Sequence, residues 1–431
     1  MKIGIAETDV RTPIGMQMTG YGGRVIGALD INDQLKISAV YMESKGVKTL
    51  LMVCQILGFD PGFSRETELK ISEALNIPVS NIMIHSIHTH AGPASGTLYG
   101  CGIADKAWLE ETQGDLIRLA KEAEKNLFEG YLDYSVGECG IGMNRVALLY
   151  KDELPYQDIM DKQVGVIRIF ESNTDRLKGV IVNYGCHPVT LGNSNYTYTA
   201  DYPYFMIRKL EEEYGDGVTV IFTTGCCGDI DPKERGSFEK AKANGENLAD
   251  SVKDAMFKFK NSTDADIRCN ASELTLPLSV LSKEEYKRIY EEALDSCKKL
   301  IENKYSPSFA HVQAAAVRVL WADRGVKGYE NNTLMTEVHP LIRTWKIGEL
   351  VFVAMPFEIF LELGLRVKEL FGKENTVVLG YTGGVFGYLP YGAMYDRSVY
   401  EVKSAHLYYG YPGPLAKEAG DIILDYLKKL I

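Results

Sequence analysis

The stretch NIMIHSIHTHAGPA, residues 81–94, is the part of this 431-residue chain around which its other motifs are arranged. Residues 82–84 are apolar and predict the end of a short buried strand, and the Gly-Pro pair at 92–93 predicts the turn after it. Three of the chain's seven histidines lie within six positions here. On an extended strand His88 and His90, two residues apart, would point to the same side. Because neutral imidazole is the commonest metal ligand, the stretch is a candidate metal site.

Two later strands also end in residues that can bind a metal. The apolar run VIVNY at 180–184 is followed by His187, and VFVAM at 351–355 is followed by Glu358. Two histidines and one glutamate with an open position form the ligand set of a zinc hydrolase. Structural explanations compete with this one. A His-x-His can be a hydrogen-bonded polar pair, and a helix predicted over 359–371 would favour a Glu in its first turn without any function.

An ordered series of motifs extends beyond these strand ends. Its members are His88-Thr89-His90 with Gly92-Pro93, Met143-Asn144-Arg145, His187-Pro188 with Asp201, Gly228-Asp229-x-Asp231-Pro232, Pro356-Phe357-Glu358, and Tyr388 with Tyr395 and Tyr400-Glu401. In this order and spacing they resemble the catalytic domain of the neutral/alkaline (non-lysosomal) ceramidase family, zinc amidases that cut the N-acyl bond of ceramide. The resemblance runs from Asp9 to about Pro414.

The resemblance implies a role for each matching residue. The implied ligands of a Zn²⁺ ion are His88, His187, Glu358 and Tyr388. The implied catalytic residues are His90, Arg145 and Tyr400, and Asp231, which stands where the family has another residue, is a further catalytic candidate. The implied substrate-binding residues are Gly20, Tyr21 and Gly22, in a glycine-rich loop over 12–24, and Phe386. In this interpretation metal-activated water attacks an amide carbonyl, and neighbouring donors stabilise the oxyanion that forms.

Asp231 departs from the family pattern, which has a serine at this position. An aspartate cannot act as that serine would. It could take a proton from the activated water, or it could cap the turn before Pro232, which is a common role for Asp. The change also leaves ceramide itself in doubt, so the expected substrate is a small-molecule or lipid-like acylated compound.

Other classes of protein fit parts of the pattern. Amidohydrolase barrels also begin with His-x-His, but they place it after the first strand and use further histidines and a late aspartate. Metallo-β-lactamases need Asp-His directly after His-x-His, where this chain has Ala91-Gly92. A zinc esterase acting on a small acylated compound, and a non-catalytic binding protein on a degenerate ceramidase scaffold, stay open as alternatives.

The composition and the first residues of the sequence indicate which kinds of partner and which cellular compartment to expect. The net charge is −11, from 47 Lys and Arg against 58 Asp and Glu, and no basic run occurs, which argues against nucleic acid. The first residues, MKIGIAETDVRTP, lack the apolar core of a signal peptide. No stretch approaches the roughly 20 apolar residues of a membrane-spanning helix. We therefore expect a cytoplasmic protein whose eight scattered cysteines are reduced. The sequence does not indicate an oligomeric state.

Hydrophobic periodicity predicts an α/β fold of mixed β-sheets flanked by helices, with the metal site at converging strand ends. Among the individual elements, a helix is predicted over 237–259 and a strand over 312–319. No internal repeat or linker is evident. We expect residues 1–431 to form a single ceramidase-like domain without the family's C-terminal immunoglobulin-like domain.

Overall fold

The computed structural model describes residues 1–146, 160–262, 264–302, 309–397 and 399–431. The strands of this part of the chain are β1 Lys2–Asp9, β2 Asp30–Ile31, β3 Lys36–Ser44, β4 Val47–Cys54, β5 Ile82–Ser86, β6 Thr97–Leu98, β7 Gly102–Ile103, β8 Leu127–Glu138, β9 Gly142–Asn144, β10 Gln163–Glu171, β11 Arg176–Tyr184, β12 Thr197–Tyr198, β13 Thr219–Thr224, β14 Ile230–Pro232, β15 Met256–Lys260, β16 Ile267–Glu273, β17 Leu276–Pro277, β18 Glu337–Val338, β19 Leu341–Ile347, β20 Leu350–Ala354, β21 Glu358–Ile359, β22 Thr376–Leu379 and β23 Tyr388–Leu389. Its helices are α1 Pro61–Leu75, α2 Lys106–Lys125, α3 Tyr202–Tyr214, α4 Phe238–Lys253, α5 Lys283–Glu302, α6 Phe309–Glu330, α7 Leu361–Phe371, α8 Tyr400–Lys403, α9 Ala405–Tyr409 and α10 Ala419–Lys428.

Two mixed sheets organise these elements. The larger runs in the order β13-β11-β10-β8-β1-β3-β4-β5, and β15 also pairs with β8. The smaller runs in the order β16-β19-β20-β22. Most neighbours are antiparallel, but β4–β5, β11–β13 and β20–β22 are parallel. Helix α2 packs on β1 and β3, α3 packs on β13, and α7 packs on β22. The prediction of mixed sheets flanked by helices is therefore confirmed.

The strands that end near the His-x-His stretch are buried, and each contains a run of at least three apolar residues. All residues of β5 and β20, and all but one of β13, are buried. Such continuous apolar runs are typical of strands covered on both faces. Because each run stops where polar residues begin, the strand ends place the polar side chains of the next loop at the same edge of the fold.

His85 forms hydrogen bonds that hold the ends of β5, β13 and β22 together. Its Nδ1 donates to the carbonyl of Gly380, 2.9 Å away, and its Nε2 accepts from the backbone N–H of Thr224, also at 2.9 Å. Burial lowers the pKa of His85 to about 3, so the ring is neutral and can accept at Nε2. One buried imidazole thus fixes β5 against the last residue of β13 and the residue that follows β22.

Three predicted elements are wrong in type or extent. Residues 312–319 lie in helix α6, not in a strand. The helix that begins after Ser237 ends at Lys253, and β15 follows it. Glu358 lies in the short strand β21, which pairs with β23, so it is not in the first turn of α7.

Packing against neighbouring residues explains why residues 312–319 are helical although they include valines. Its buried residues Val317, Trp321, Gly325 and Gly328 recur at helical spacing and face α5 and the loop after α6. A Cβ on Gly325 would come within 2.3 Å of the ring of Tyr286 in α5. The close approach of two helices, rather than the β-propensity of single residues, decides this segment.

In the described part of the chain, no helix is both long and apolar enough to cross a membrane.

Candidate metal centre

The His-x-His stretch reaches the site by a turn, not by an extended strand. β5 ends at Ser86, and His88 has a left-handed backbone with a φ of 68°. The assumption that His88 and His90 share one face of a strand is therefore wrong. His88 is held in this conformation by its own N–H, which donates to the carbonyl of Ile56 at 2.9 Å. A left-handed non-glycine residue costs energy, so the surrounding hydrogen bonds must impose it.

Three imidazoles nevertheless come together. The ring centroids of His88 and His90 are 4.9 Å apart, and those of His88 and His187 are 5.1 Å apart. One nitrogen from each of the three rings lies within 4.8 Å of the others, a spacing that could hold a metal ion. His88 and His187 are fully buried.

Glu358 completes this cluster with a carboxylate. Its Oε2 lies 3.1 Å from Nε2 of His88 and 3.1 Å from Nε2 of His187. Its Oε1 accepts a hydrogen bond from the hydroxyl of Tyr409. Burial raises the pKa of Glu358, but the adjacent His88 and His187 outweigh it, and the pKa falls well below its usual value. The carboxyl is therefore ionised.

The hydrogen bonds behind the rings fix which nitrogen faces Glu358. Nδ1 of His88 donates to the carbonyl of Leu57 at 2.8 Å, and Nδ1 of His187 donates to that of Ile230 at 3.1 Å. In the neutral tautomer both Nε2 atoms then present lone pairs to an anionic oxygen. Such a contact needs positive charge between the atoms. Burial lowers the pKa of His187, but Cys227 and Glu358 raise it well above its usual value, so either a proton on this ring or a metal cation could supply that charge. Carbonyl groups hold metal-binding imidazoles in other proteins in the same way.

His90 also has ring nitrogens that a cation could satisfy. Both of its ring nitrogens are buried, and neither has a hydrogen-bond partner among the described residues. Burial and the neighbouring His88 and His187 lower its pKa well below the usual value, so the ring is neutral. Unsatisfied buried nitrogens are costly, and a metal or a substrate group would satisfy one of them. The donor set present here fits a divalent metal such as zinc.

The glycine-rich loop packs directly on His90. Gly20 has a φ of 96°, and a Cβ there would lie 2.5 Å from Nδ1 of His90, so only glycine fits. The ring of Tyr21 contacts the His90 ring edge-on, with centroids 4.8 Å apart. Gly22 lies further out, exposed, where the nearest atoms to a Cβ would be Sγ of Cys101 and the carbonyl of Gly100.

Arg145 lies at the centre of a polar network beside the histidines. Its guanidinium donates to Asp231 at 3.1 Å, Glu401 at 3.1 Å and the carbonyl of Gly228 at 2.8 Å. It also donates to the hydroxyl of Tyr388 at 3.1 Å. The predicted residues Arg145, Asp231 and Tyr388 are thus brought together around one guanidinium.

Asp231 is shared between two arginines. One oxygen accepts from Arg145, and the other accepts from Arg235 at 2.6 Å. The first oxygen also lies 3.9 Å from Nδ1 of His187. Asp201 serves another purpose: it accepts from the N–H groups of Leu191 and Tyr202, so it holds the loop after His187 and the start of α3.

The C-terminal tyrosines reach the cluster from β23 and α8. Tyr388 pairs with Glu358 in the register of β21 and β23, which brings its hydroxyl towards the same centre. The ring of Tyr400 contacts that of Tyr388, with centroids 6.1 Å apart. Phe386 packs between Phe357 and Tyr411, against the apolar core that contains Phe357.

Sequence reasoning missed three residues that contact this centre. Tyr409 donates to Glu358. The ring of Tyr381 stacks on His88 with centroids 4.2 Å apart. Arg24 donates to the carbonyl of His90 at 2.8 Å. Tyrosines are abundant near the C-terminus, but neither periodicity nor spacing indicates which of them face inward.

The fold and this site define a mixed α/β protein with a buried imidazole–carboxylate cluster at the meeting point of two sheets. The chain matches none of the known protein-family models. Over 165 residues, 36% of this chain, it is 25% identical to the neutral ceramidase of Pseudomonas aeruginosa, and the matched stretch spans 24% of that relative's length.

Two solved structures share the whole fold. The crystal structure of neutral ceramidase from Pseudomonas aeruginosa superposes with a TM-score of 0.74 over 100% of this chain and 74% of that chain, at 16% identity. A ceramidase complexed with C2 superposes with the same TM-score over 100% of this chain and 75% of that chain, at 14% identity. The chain therefore has a ceramidase-like fold with a histidine cluster that could bind a metal.

Proposed function

We propose that this protein is a zinc-dependent hydrolase that cleaves an N-acyl amide bond in an acylated small molecule or lipid. One observation carries the proposal: Glu358 lies 3.1 Å from the Nε2 atoms of both His88 and His187, and both Nδ1 atoms are committed to carbonyls. This arrangement leaves two lone pairs and a carboxylate for one cation. The ceramidase-like fold supports the same reaction class.

Zinc would be held by His88, His187 and Glu358, with Tyr388 as a fourth ligand. When bound, such a metal makes water nucleophilic near neutral pH and polarises a carbonyl. The third imidazole, His90, has free nitrogens beside these groups. It can either bind the metal or carry a proton to the leaving amine.

In this proposal Arg145 and Tyr400 stabilise negative charge on the acyl oxygen. Arg145 is held by Asp231, Glu401 and Gly228, so its guanidinium is fixed before the substrate arrives. Fixed donors need no reorganisation when charge develops, and removing one typically costs about 10²–10³-fold in rate. Tyr409 orients Glu358 through its hydrogen bond to Oε1.

The test is metal content together with hydrolysis. We expect about one zinc per chain in the purified protein, from the single cluster described above. Removing it with a chelator should abolish cleavage of N-acyl amines, and adding zinc back should restore it. Matched O-acyl esters, assayed beside the amides, distinguish an amidase from an esterase. Protein that binds no metal, or that hydrolyses equally well with chelator, would contradict the proposal.

Asp231 provides a second prediction, because its two oxygens are occupied by Arg145 and Arg235. We propose that it positions Arg145 rather than transferring a proton. Asp231→Asn should then lower kcat/KM about tenfold, the effect of weakening charged hydrogen bonds, and should leave the shape of the pH–rate profile unchanged. The measurement is kcat/KM from about pH 5 to 9 in both proteins, across the range where general bases titrate. A fall of more than about 10²-fold with loss of one limb of the profile would assign the proton transfer to Asp231 instead.

A further inference from the structure

Arg24 is a largely buried cation without a carboxylate partner in the described residues. Its Nη1 donates to the carbonyls of Thr19 at 3.0 Å and His90 at 2.8 Å. Its Nε and Nη2 are shielded from solvent and have no hydrogen-bond partner there. The ring of Tyr21 lies 4.9 Å from its Cζ. An unpaired guanidinium in such a place is costly unless something else supplies the negative charge.

The unused atoms lie on one edge of the guanidinium. Nε and Nη2 together form the fork that binds two oxygens of one anionic group with parallel hydrogen bonds. The carbonyl contacts at Nη1 fix the orientation of this fork. The geometry therefore favours a planar anion such as a carboxylate, which a lysine at this position would recognise less well.

Arg24 lines a cavity of about 440 Å³, and its hydrogen bond to the carbonyl of His90 places it next to the candidate metal centre. Gln17 and Tyr21 line the same cavity, and Tyr21 also packs on the ring of His90. The rim is apolar: Val25 and Ile26 line the cavity and are 59% and 50% exposed. The size and character of the cavity suit a small organic group with one charge and some apolar surface.

Three carboxylates near the site have other partners among the described residues. Asp231 is bound by two arginines, and Glu401 is bound by Arg145. Glu358 faces the histidines. No carboxylate of the described residues contacts the fork of Arg24, and a molecule that enters the cavity could supply the counter-charge.

We propose that Arg24 binds a carboxylate on the amine part of the substrate, so that the substrates are N-acyl amino acids rather than uncharged N-acyl amino alcohols. This proposal rests on the amide hydrolysis proposed above. In the reaction the C–N bond of the amide breaks and a C–O bond forms with the oxygen of water. The acyl part leaves as a carboxylic acid, and the amino-acid nitrogen takes up the proton.

The experiment compares three substrates that share one acyl chain: N-lauroylglycine, the uncharged N-lauroylethanolamine and N-lauroylphosphoethanolamine. In the wild type we expect kcat/KM for the glycine conjugate to exceed that for the ethanolamine by about 10- to 100-fold, the effect of hydrogen bonds to a charged group. Arg24→Gln should bring this ratio close to one. Arg268→Gln removes the same charge from an exposed position on β16 and should leave the ratio as it is in the wild type.

Arg24→Lys is the second variant, for use if Arg24→Gln does not fold. It should lower the ratio of kcat/KM for the glycine conjugate to that for the ethanolamine several-fold, because an ammonium lacks the fork. A wild-type ratio near one, or a ratio that survives both Arg24 changes, would overturn the proposal. Preference for the phosphoethanolamine over the glycine conjugate would overturn the carboxylate assignment.

Equilibrium binding separates this proposal from the proposed reaction. Calorimetry with N-lauroylglycine and N-lauroylglycinamide should show tighter binding of the carboxylate in the wild type, and this advantage should be lost in Arg24→Gln. That result without hydrolysis of any conjugate would retain the anion site and reject the amidase. Hydrolysis with equal binding of the two compounds would retain the amidase and reject the anion site.

Discussion

His88→Ala and Glu358→Ala should each lose the bound metal and reduce hydrolysis by about 10³-fold or more, because the metal supplies several kcal/mol of activation that no other group replaces. His88 and Glu358 are in direct contact through Nε2 and Oε2, and both are buried. Removing either one leaves the remaining ligands too few to hold a metal tightly. The measurement is zinc per chain by elemental analysis, beside kcat/KM on the best N-acyl substrate.

Two further variants make this result specific. Glu358→Gln keeps the shape of the side chain but removes its charge, and it should lose zinc as the alanine variant does. His339→Ala removes a histidine whose side chain is 49% exposed, and it should keep both zinc and activity. Circular dichroism and thermal unfolding establish whether each variant is folded. Full zinc occupancy in a folded Glu358→Ala would reject this glutamate as a ligand.

The second large effect concerns stability. Glu68 in α1 and Arg343 in β19 form an ion pair, and both are about 1% exposed. Glu68→Gln should lower the free energy of unfolding by about 3–5 kcal/mol, because it leaves a guanidinium buried without its counter-charge. Equilibrium urea unfolding of the wild type and the variant measures the difference.

The double variant Glu68→Leu with Arg343→Met is the matched control. It removes both charges and replaces them with apolar side chains of similar length, so it should recover most of the lost stability. Arg343 also lies against Gly383, in the loop that carries Tyr381 to its stacking position on His88. A double variant as unstable as the single one would show that the shape of this site matters more than its charge balance.

Local patterns in the sequence located much of the candidate site. The apolar runs before residue 85, His187 and Glu358 are strands that end close to where those patterns stop. That information is local, because a buried strand needs a continuous apolar run and the polar residues after it must leave the sheet. The same patterns could not show that His88 has a left-handed backbone, since distant hydrogen bonds impose it.

Other features of the fold and of the candidate site depended on packing between distant segments of the chain. The valines in 312–319 predicted a strand, but the close contact of Gly325 with Tyr286 makes this segment a helix. Tyr409 and Arg24 carried no signal as single residues, because a tyrosine near the C-terminus and an arginine in a glycine-rich loop occur mostly for other reasons. Their roles could be assigned only from the atoms that they contact in the structure.

The sequence by itself determined the class of the fold, the strand ends and the residue types able to bind a metal, because hydrophobic periodicity and side-chain chemistry act over short stretches of chain. Only the tertiary structure decided that His88, His187 and Glu358 meet at one point, that Asp231 lies between two arginines, and that Arg24 has no counter-charge among the residues described. These are contacts between residues far apart in the sequence. They depend on how two sheets pack, and no local pattern encodes that arrangement.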